Sequence, residues 1–441
     1  MTQFISPDAI RDAFSKAMSL MYQQEVPQYR TLLQIVKEVN TRYLQTHPDT
    51  FADDDNAPEL NRLEVERHGA IRLGKAEELM TMRRLFAVMG MYPVSYYDLS
   101  AAGVPVHATA FRPVDERSLQ YNPFRVFTSL LRLELIDDAA LKQKVSQILE
   151  RRTIFTPQLL ELIETGEGQQ GLTADQAETF VAEALKTFQW HSEAQVDVAT
   201  YQSLLDQHRL IADVVSFKGP HINHLTPRTL DIDAVQQLMP AYQIVPKESI
   251  EGPPPRRVPV LLRQTSFKAL SENITFTDNS EGRHTARFGE IEQRGLALTP
   301  AGRALYDRLL QQPTGEKVGG LTANFAAFPD DEHELRRQKL GYFRYQLLPG
   351  ATLPPQASRE QLDNLVVQGK IKARPIVYED FLPVSAAGIF QSNLGSERGA
   401  VGKGNPNQAA FEQALGCPVI NEFALYQQLE DASLAAIFDR L

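Results

Sequence analysis

The sequence predicts an α+β protein built on two βαβββ modules, with helical additions before, between and after them. Hydrophobic spacing alternates along the chain between the 3.6-residue repeat of amphipathic helices and short apolar runs bounded by Gly and Pro, the mark of strands. The order strand, helix, strand, strand, strand can be read twice, over residues 58–135 and 210–300. Each module opens on a histidine-bearing segment, His68 in the first and His221 with His224 in the second. With 441 residues, 43% hydrophobic and 23% charged, the composition is that of a globular chain with a sizeable core.

Several classes are set aside by composition. A formal net charge of −10 argues against nucleic acid as the main partner, because phosphate binding needs a basic face. The start lacks a basic segment followed by an apolar run, and no stretch has the apolar length of a membrane helix, so a cytoplasmic protein is expected. The single cysteine, Cys417, allows neither an internal disulfide nor a Cys-rich zinc site, and reads as a small packing residue beside Pro418. Any metal would therefore be held by histidine and carboxylate. Nothing in the composition specifies an oligomeric state.

Taken in order, residues 1–57 form a helical N-terminal segment. Ser6-Pro7-Asp8 starts a helix carrying Ile10, Phe14, Met18 and Met21, and a second spans about 28–45 with Leu32, Ile35, Val36 and Val39 on one stripe. The acidic run Asp53–Asp55 reads as solvated loop, since no calcium-loop glycine and glutamate follow it.

The first module (58–135) runs from a strand around His68–Leu73 through a helix over Lys75–Met89 to strands at 91–99, 104–111 and 124–135. In a strand, residues two apart share a face, so His68, Ala70 and Arg72 point the same way. At ~3.3 Å per residue, His68 and Arg72 stand about 13 Å apart. An arginine at that offset suits the far carboxylate of a short dicarboxylic acid whose near end sits on a metal at His68. An arginine paired with a neighbouring acid fits the same pattern.

Residues 136–209 read as a polar helical insertion in which Trp190, His191 and His208 serve packing and surface. The second module (210–300) opens with Leu210–Phe217, read as strand, leading into Gly219-Pro220-His221-Ile222-Asn223-His224. Histidines three apart on extended chain face opposite ways, so one of the two faces any site. Two hydrogen-bonded histidines at a turn would satisfy the same sequence. Asp231-Ile232-Asp233 caps a helix through Val235 and Leu238, Val258–Ala269 reads as a buried strand, and His284–Gly295 closes the module as one further strand. On that strand Glu290 and Glu292 share a face, and either could complete a set of two histidines and one carboxylate. Ion pairs with Arg287 or Arg294 are the alternative for both.

Residues 301–441 make a helical and mixed C-terminal region covering the site: a helix from Thr299-Pro300, a mostly helical 311–345, a Pro-rich linker at 349–355, and the small-residue stretch Ser385-Ala386-Ala387-Gly388. The glycine-rich 395–407 lacks the spacing and lysine of a phosphate-binding loop.

Paired βαβββ modules with histidine on each opening strand and glutamate on a closing one resemble the vicinal-oxygen-chelate architecture, in which the modules curl into an incomplete barrel around one metal. More specifically, Val65–Arg72, Gly219–Arg228, Arg287–Gly295 and Glu379–Gly388 closely resemble the bacterial 2-oxoadipate dioxygenase/decarboxylase (D-2-hydroxyglutarate synthase) family over nearly the whole chain. The resemblance implies Fe(II) held by His68, His224 and Glu290, with His221 and Glu292 as the near alternatives. It implies Arg72 on the distal carboxylate of a 2-oxo dicarboxylic acid, Val384 against the substrate, and O2 as co-substrate. The implied activity is oxidative decarboxylation and hydroxylation of 2-oxoadipate to D-2-hydroxyglutarate and CO2, within lysine catabolism. Two other expectations compete: a different metal enzyme on the same scaffold, such as an isomerase or extradiol dioxygenase, and a non-catalytic metabolite-binding protein.

Overall fold

The computed structural model describes residues 3–51, 57–267, 269–313, 320–354, 357–382 and 406–439. The chain divides into two compact units, each assembled from separated stretches. The first holds residues 1–249, 265–291 and 381–420; the second holds 250–264, 292–380 and 421–441.

The first unit is organised on a five-stranded sheet. Its strands are β1 (Arg67–Leu73), β2 (Tyr92–Asp98), β3 (Val106–Arg112), β4 (Arg125–Leu131) and β5 (Leu225–Pro227), in the order β2-β3-β4-β1-β5. The helix Ala76–Val88 lies between β1 and β2 in sequence, so the first βαβββ succession is present as expected. Strand β1 pairs parallel with β4, His68 opposite Arg125, and antiparallel with β5, His68 opposite Thr226. The opening strand of the second half thus adds to the sheet of the first. Among the described residues the strands close no barrel.

Local chemistry explains the helices. Ser6 accepts a hydrogen bond from the Ala9 amide and Pro7 sets the first turn of Pro7–Glu25, whose Phe14 meets the rings of Phe124 and Phe188 edge-on at 5.9 and 5.4 Å. Thr173 and Gln176 form a reciprocal cap on Ala174–Phe188, and Asp231 caps Ile232–Leu238 as its sequence suggests.

Residues 210–217 depart from the expected strand. Residues 210–216 lie in the helix Arg209–Ser216, whose Leu210 amide donates to the His208 side chain, and Phe217 follows as its extended C-cap. A short continuous apolar run does not distinguish a buried strand from a buried helix by periodicity. Packing decided here, because Leu210, Ile211, Val214 and Val215 are all buried in this conformation.

The closing strand over 284–295 is also interrupted. Glu272–Thr275 (β7) and Glu281–His284 (β8) form an antiparallel hairpin, Glu272 opposite His284, and the next strand, β9, is Glu290–Arg294. His284 and Glu290 therefore belong to different strands. Strand β6 is Leu262–Ser266, shorter than the predicted run.

In the second unit β10 (Phe343–Leu347) and β11 (Ile371–Pro375) make an antiparallel hairpin, and the helix Glu422–Phe438 packs against β10. Residues 343–345 are expected in a mostly helical stretch; cross-strand pairing with 373–375, which is non-local, makes them strand. No helix among the described residues is long and apolar enough to cross a membrane.

Close approach requires glycine at two positions beside residues 222–224 and 290. A methyl group at Gly69 would stand 2.5 Å from Ile222 Cδ1 and 2.8 Å from the His224 carbonyl oxygen. At Gly289 it would stand 1.9 Å from the Phe267 ring. Gly69→Ala should lower stability by about 1–3 kcal/mol through this overpacking, read as a shift in urea midpoint at unchanged slope. Wild-type stability in that variant would mean that residues 222–224 can move off β1 without cost.

Candidate metal and substrate site

Three distant segments of the first unit bring His68, His224 and Glu290 together. His68 stands on β1, His224 directly precedes β5, and Glu290 begins β9. The segment before β5 is held on β1 by a bond from the Asn223 amide to Ala70 O (3.0 Å), and the segment before β9 is held on it in turn by a bond from the Phe288 amide to Asn223 O (3.1 Å). From the first helix, the buried Tyr22 hydroxyl donates to Phe288 O at 2.6 Å and reaches Asn223 O at 3.0 Å. These bonds fix the backbone that presents His224 and Glu290.

All three side chains are fully buried. His68 Nε2 lies 3.0 Å and His224 Nε2 3.6 Å from Glu290 Oε1, and Thr226 donates its hydroxyl to the same oxygen at 2.9 Å. The two imidazoles meet edge to face at 5.4 Å, with Phe381 against His68 at 5.0 Å and Phe288 against His224 at 4.9 Å. Burial alone would raise the Glu290 carboxyl; His224 and His68, with Thr226, outweigh it and hold it below the usual range. One donor atom from each residue falls within 4.8 Å of the others, and among the described residues they form the one group of three such side chains so placed. Two imidazole nitrogens and a carboxylate oxygen suit a divalent transition metal, with coordination positions left for substrate.

Arg72, two alternations along β1 from His68, donates from Nη1 to Asp213 Oδ2 at 2.6 Å and, with the Asn223 amide turned so that its nitrogen faces Ala70 O and its oxygen faces the arginine, to the Asn223 side-chain oxygen at 2.7 Å. Of the two readings of Arg72 in the sequence, pairing with an acid is therefore realised; it leaves the guanidinium on the same face of β1 as His68. His221 faces away from Glu290, its Nε2 3.2 Å from Asp213 Oδ1. Glu292 pairs with Arg294 at 2.7 Å, and Arg287 with Glu25 and Glu272. Val384 lies outside the described residues.

Asp213, His284, Tyr201 and Thr226 were not singled out as site residues by the sequence reading. His284 Nε2 meets Asp213 Oδ1 at 2.9 Å, and Tyr201 Oη meets His284 Nδ1 at 2.8 Å. Asp213 carried a signal: a lone carboxylate inside Leu210–Val215 must find partners when that run is buried. Trp190, read as packing, stacks edge-on with His221 at 4.7 Å beneath the Arg287 guanidinium. The buried carboxylate Glu66 gathers Arg62, Arg125 and Arg228 at 2.9–3.3 Å, fixing the segment that enters β1.

Comparison with known proteins identifies the family of the chain. The family model for 2-oxoadipate dioxygenase/decarboxylase matches residues 14–393. The chain belongs to the 2-oxoadipate dioxygenase/decarboxylase family. It is an enzyme, similar at 59% identity to the 2-oxoadipate dioxygenase/decarboxylase of Escherichia coli K12, over 98% of each chain. That of Pseudomonas putida is 58% identical over 98% of this chain and 97% of its own. Among solved structures, the hydroxyglutarate synthase of Pseudomonas putida in complex with 2-oxoadipate superposes with a TM-score of 0.89 at 55% identity, covering 99% of this chain and 98% of that one. A Shigella flexneri protein superposes with a TM-score of 0.88 at 55% identity, over 97% of this chain and 99% of that one. The mixed α/β fold of the chain is therefore that of the hydroxyglutarate synthases.

The site's surroundings make stability depend on pH. Burial, then the charge of Arg72, pushes His208 down to about 4, while burial and Arg132 do the same to His107. The unfolded chain takes up these protons near pH 6.5 and the folded one only near 4, so stability falls as pH drops through that window. His208→Asn keeps a capping side chain and should flatten this fall, with His107 still contributing, when thermal unfolding is followed from about pH 7 to 4. An unaltered slope would remove His208 from the balance.

Proposed function

We propose that the chain is an Fe(II)-dependent dioxygenase converting 2-oxoadipate and O2 into (R)-2-hydroxyglutarate and CO2, as a step of lysine catabolism. The observation that carries this reading is the buried His68–His224–Glu290 cluster, whose His68 shares a face of β1 with Arg72. The two-histidine, one-carboxylate donor set fits Fe(II) and leaves positions for a bidentate 2-oxo acid and O2.

His68, His224 and Glu290 would hold the metal, which when bound supplies chelation of the 2-oxo acid and activation of O2. Arg72 takes the distal carboxylate, and with it fixes the length and orientation of the substrate. Thr226 holds the Glu290 carboxylate in one rotamer through Oε1. The rings of Phe288 and Phe381, packed on the two imidazoles, limit water at the reacting carbon. Across the reaction the original C1 carboxylate leaves as CO2. One oxygen atom of O2 enters the new carboxylate and the other the new hydroxyl. The 2-oxo acid supplies the electrons, so no separate reductant is needed.

The test is anaerobic loading with Fe(II), then air and 2-oxoadipate, recording O2 uptake, CO2 release and the chirality of the hydroxy acid. Substrate and O2 should be consumed in equal amounts. His224→Ala should abolish both metal retention and turnover, whereas Arg72→Ala should retain iron and raise KM about 10- to 100-fold. Turnover without O2 uptake would point instead to an isomerase on the same site, and wild-type protein that retains no metal would overturn the reading.

A further inference from the structure

We infer that Asp213 is a positioning residue that aims the Arg72 guanidinium and thereby sets which length of 2-oxo dicarboxylic acid the site accepts. This rests on the reading of Arg72 as the group that holds the distal carboxylate.

The geometry of Arg72 carries the argument. Its Nη1 has two hydrogens, one directed to Asp213 Oδ2 at 2.6 Å and one to the Asn223 side-chain oxygen at 2.7 Å. A guanidinium is planar, so two acceptors on one nitrogen orient the whole fork. Asn223 is itself fixed, its side-chain nitrogen donating to Ala70 O at 3.0 Å. Both acceptors are buried, and Arg72 is 9% exposed.

Asp213 is held as firmly as the arginine it holds. Its Oδ1 meets His284 Nε2 at 2.9 Å and His221 Nε2 at 3.2 Å, and Tyr201 secures the far side of His284. Trp190 packs edge-on against His221 and stacks with His284, with centroids 4.7 and 6.1 Å away. The helix bearing Asp213 is pinned one residue further on, where Arg152 donates from Nη1 to Val214 O. Arg152 is in turn clamped to Glu78 at 2.8 and 2.6 Å. The Nη1 end of Arg72 is thus held by two buried acceptors, and each acceptor has a partner of its own.

The electrostatics sharpen the consequence. A carboxylate beside Arg72 offsets much of its charge, so the pair attracts anions in general less strongly than a lone arginine would. What remains is direction: a charge-assisted hydrogen bond to a carboxylate arriving at the right distance from the metal end. Such a fork favours one chain length, where an untethered arginine would follow shorter acids by changing rotamer.

The experiment compares wild type, Asp213→Asn, Asp213→Ala and Arg72→Ala, together with Arg72→Ala/Asp213→Asn. Each is loaded with Fe(II) and assayed on 2-oxoadipate, the five-carbon diacid 2-oxoglutarate and the monoacid 2-oxohexanoate, with iron content and melting temperature measured in parallel. The shape-preserving Asn variant keeps the test informative if Asp213→Ala does not fold. For 2-oxoadipate, Asp213→Asn should raise KM about tenfold with little change in kcat, and the preference for six carbons over five should narrow. On 2-oxohexanoate, which has no distal carboxylate, it should change nothing, and in the Arg72→Ala background it should add no further loss. Equal loss on all three acids, reduced iron content, or full additivity with Arg72→Ala would overturn the inference and leave Asp213 a structural residue. A wild-type enzyme inactive on 2-oxoadipate would instead overturn the functional reading beneath it.

Discussion

A carboxylate buried with no exposure, Glu290, is the constraint on which the first unit depends. An ionised carboxyl removed from water is costly unless positive or polar partners surround it. Here those partners are His68, His224 and Thr226, contributed by the start of β1, the segment before β5 and β5 itself. None lies within sixty residues of Glu290 in sequence. Satisfying this one group therefore demands that β5 lie on β1 and that the backbone before Glu290 lie against residues 223–224. The glycines at 69 and 289 and the Tyr22 hydroxyl serve that approach.

Strand β1 carries both ends of the site because its alternation is strict. His68 and Arg72 face the same way, separated by Ala70, and each has its own buried company. The His68 end is aromatic and imidazole-rich, suited to a metal. At the Arg72 end, Asp213, Asn223, His221 and His284 make a polar network in which each member is held by another. Histidines 221 and 224 divide between these ends, as the geometry of extended chain requires for residues three apart. The two histidines of this HxxH thus serve two environments, one on each side of the extended chain.

Buried arginines complete the frame. Glu66 draws Arg62, Arg125 and Arg228 to the entrance of β1, and Glu78 with Arg152 ties the strand's far end to the helix carrying Asp213. Breaking one partner of such a pair leaves a buried charge uncompensated, so these networks restrict the positions open to β1. A strand held at both ends is a rigid platform for a site whose parts must keep their spacing.

Much of this was legible in the residues alone. Periodicity and caps place the helices Pro7–Glu25, Pro27–Thr46 and Ile232–Leu238, because these signals are local. The alternation of β1 puts His68 and Arg72 on one face, and long motifs point to the family and to His68, His224 and Glu290. What local signals could not decide was settled by packing. The apolar run 210–215 became a helix because that conformation buries its side chains and brings Asp213 to Arg72. The run 284–294 broke into two strands, which sends His284 to Asp213 and Glu290 to the histidines. Sequence spacing determines which residues share a face within one element; which faces meet depends on contacts between residues far apart in the chain, and only the tertiary structure supplies those.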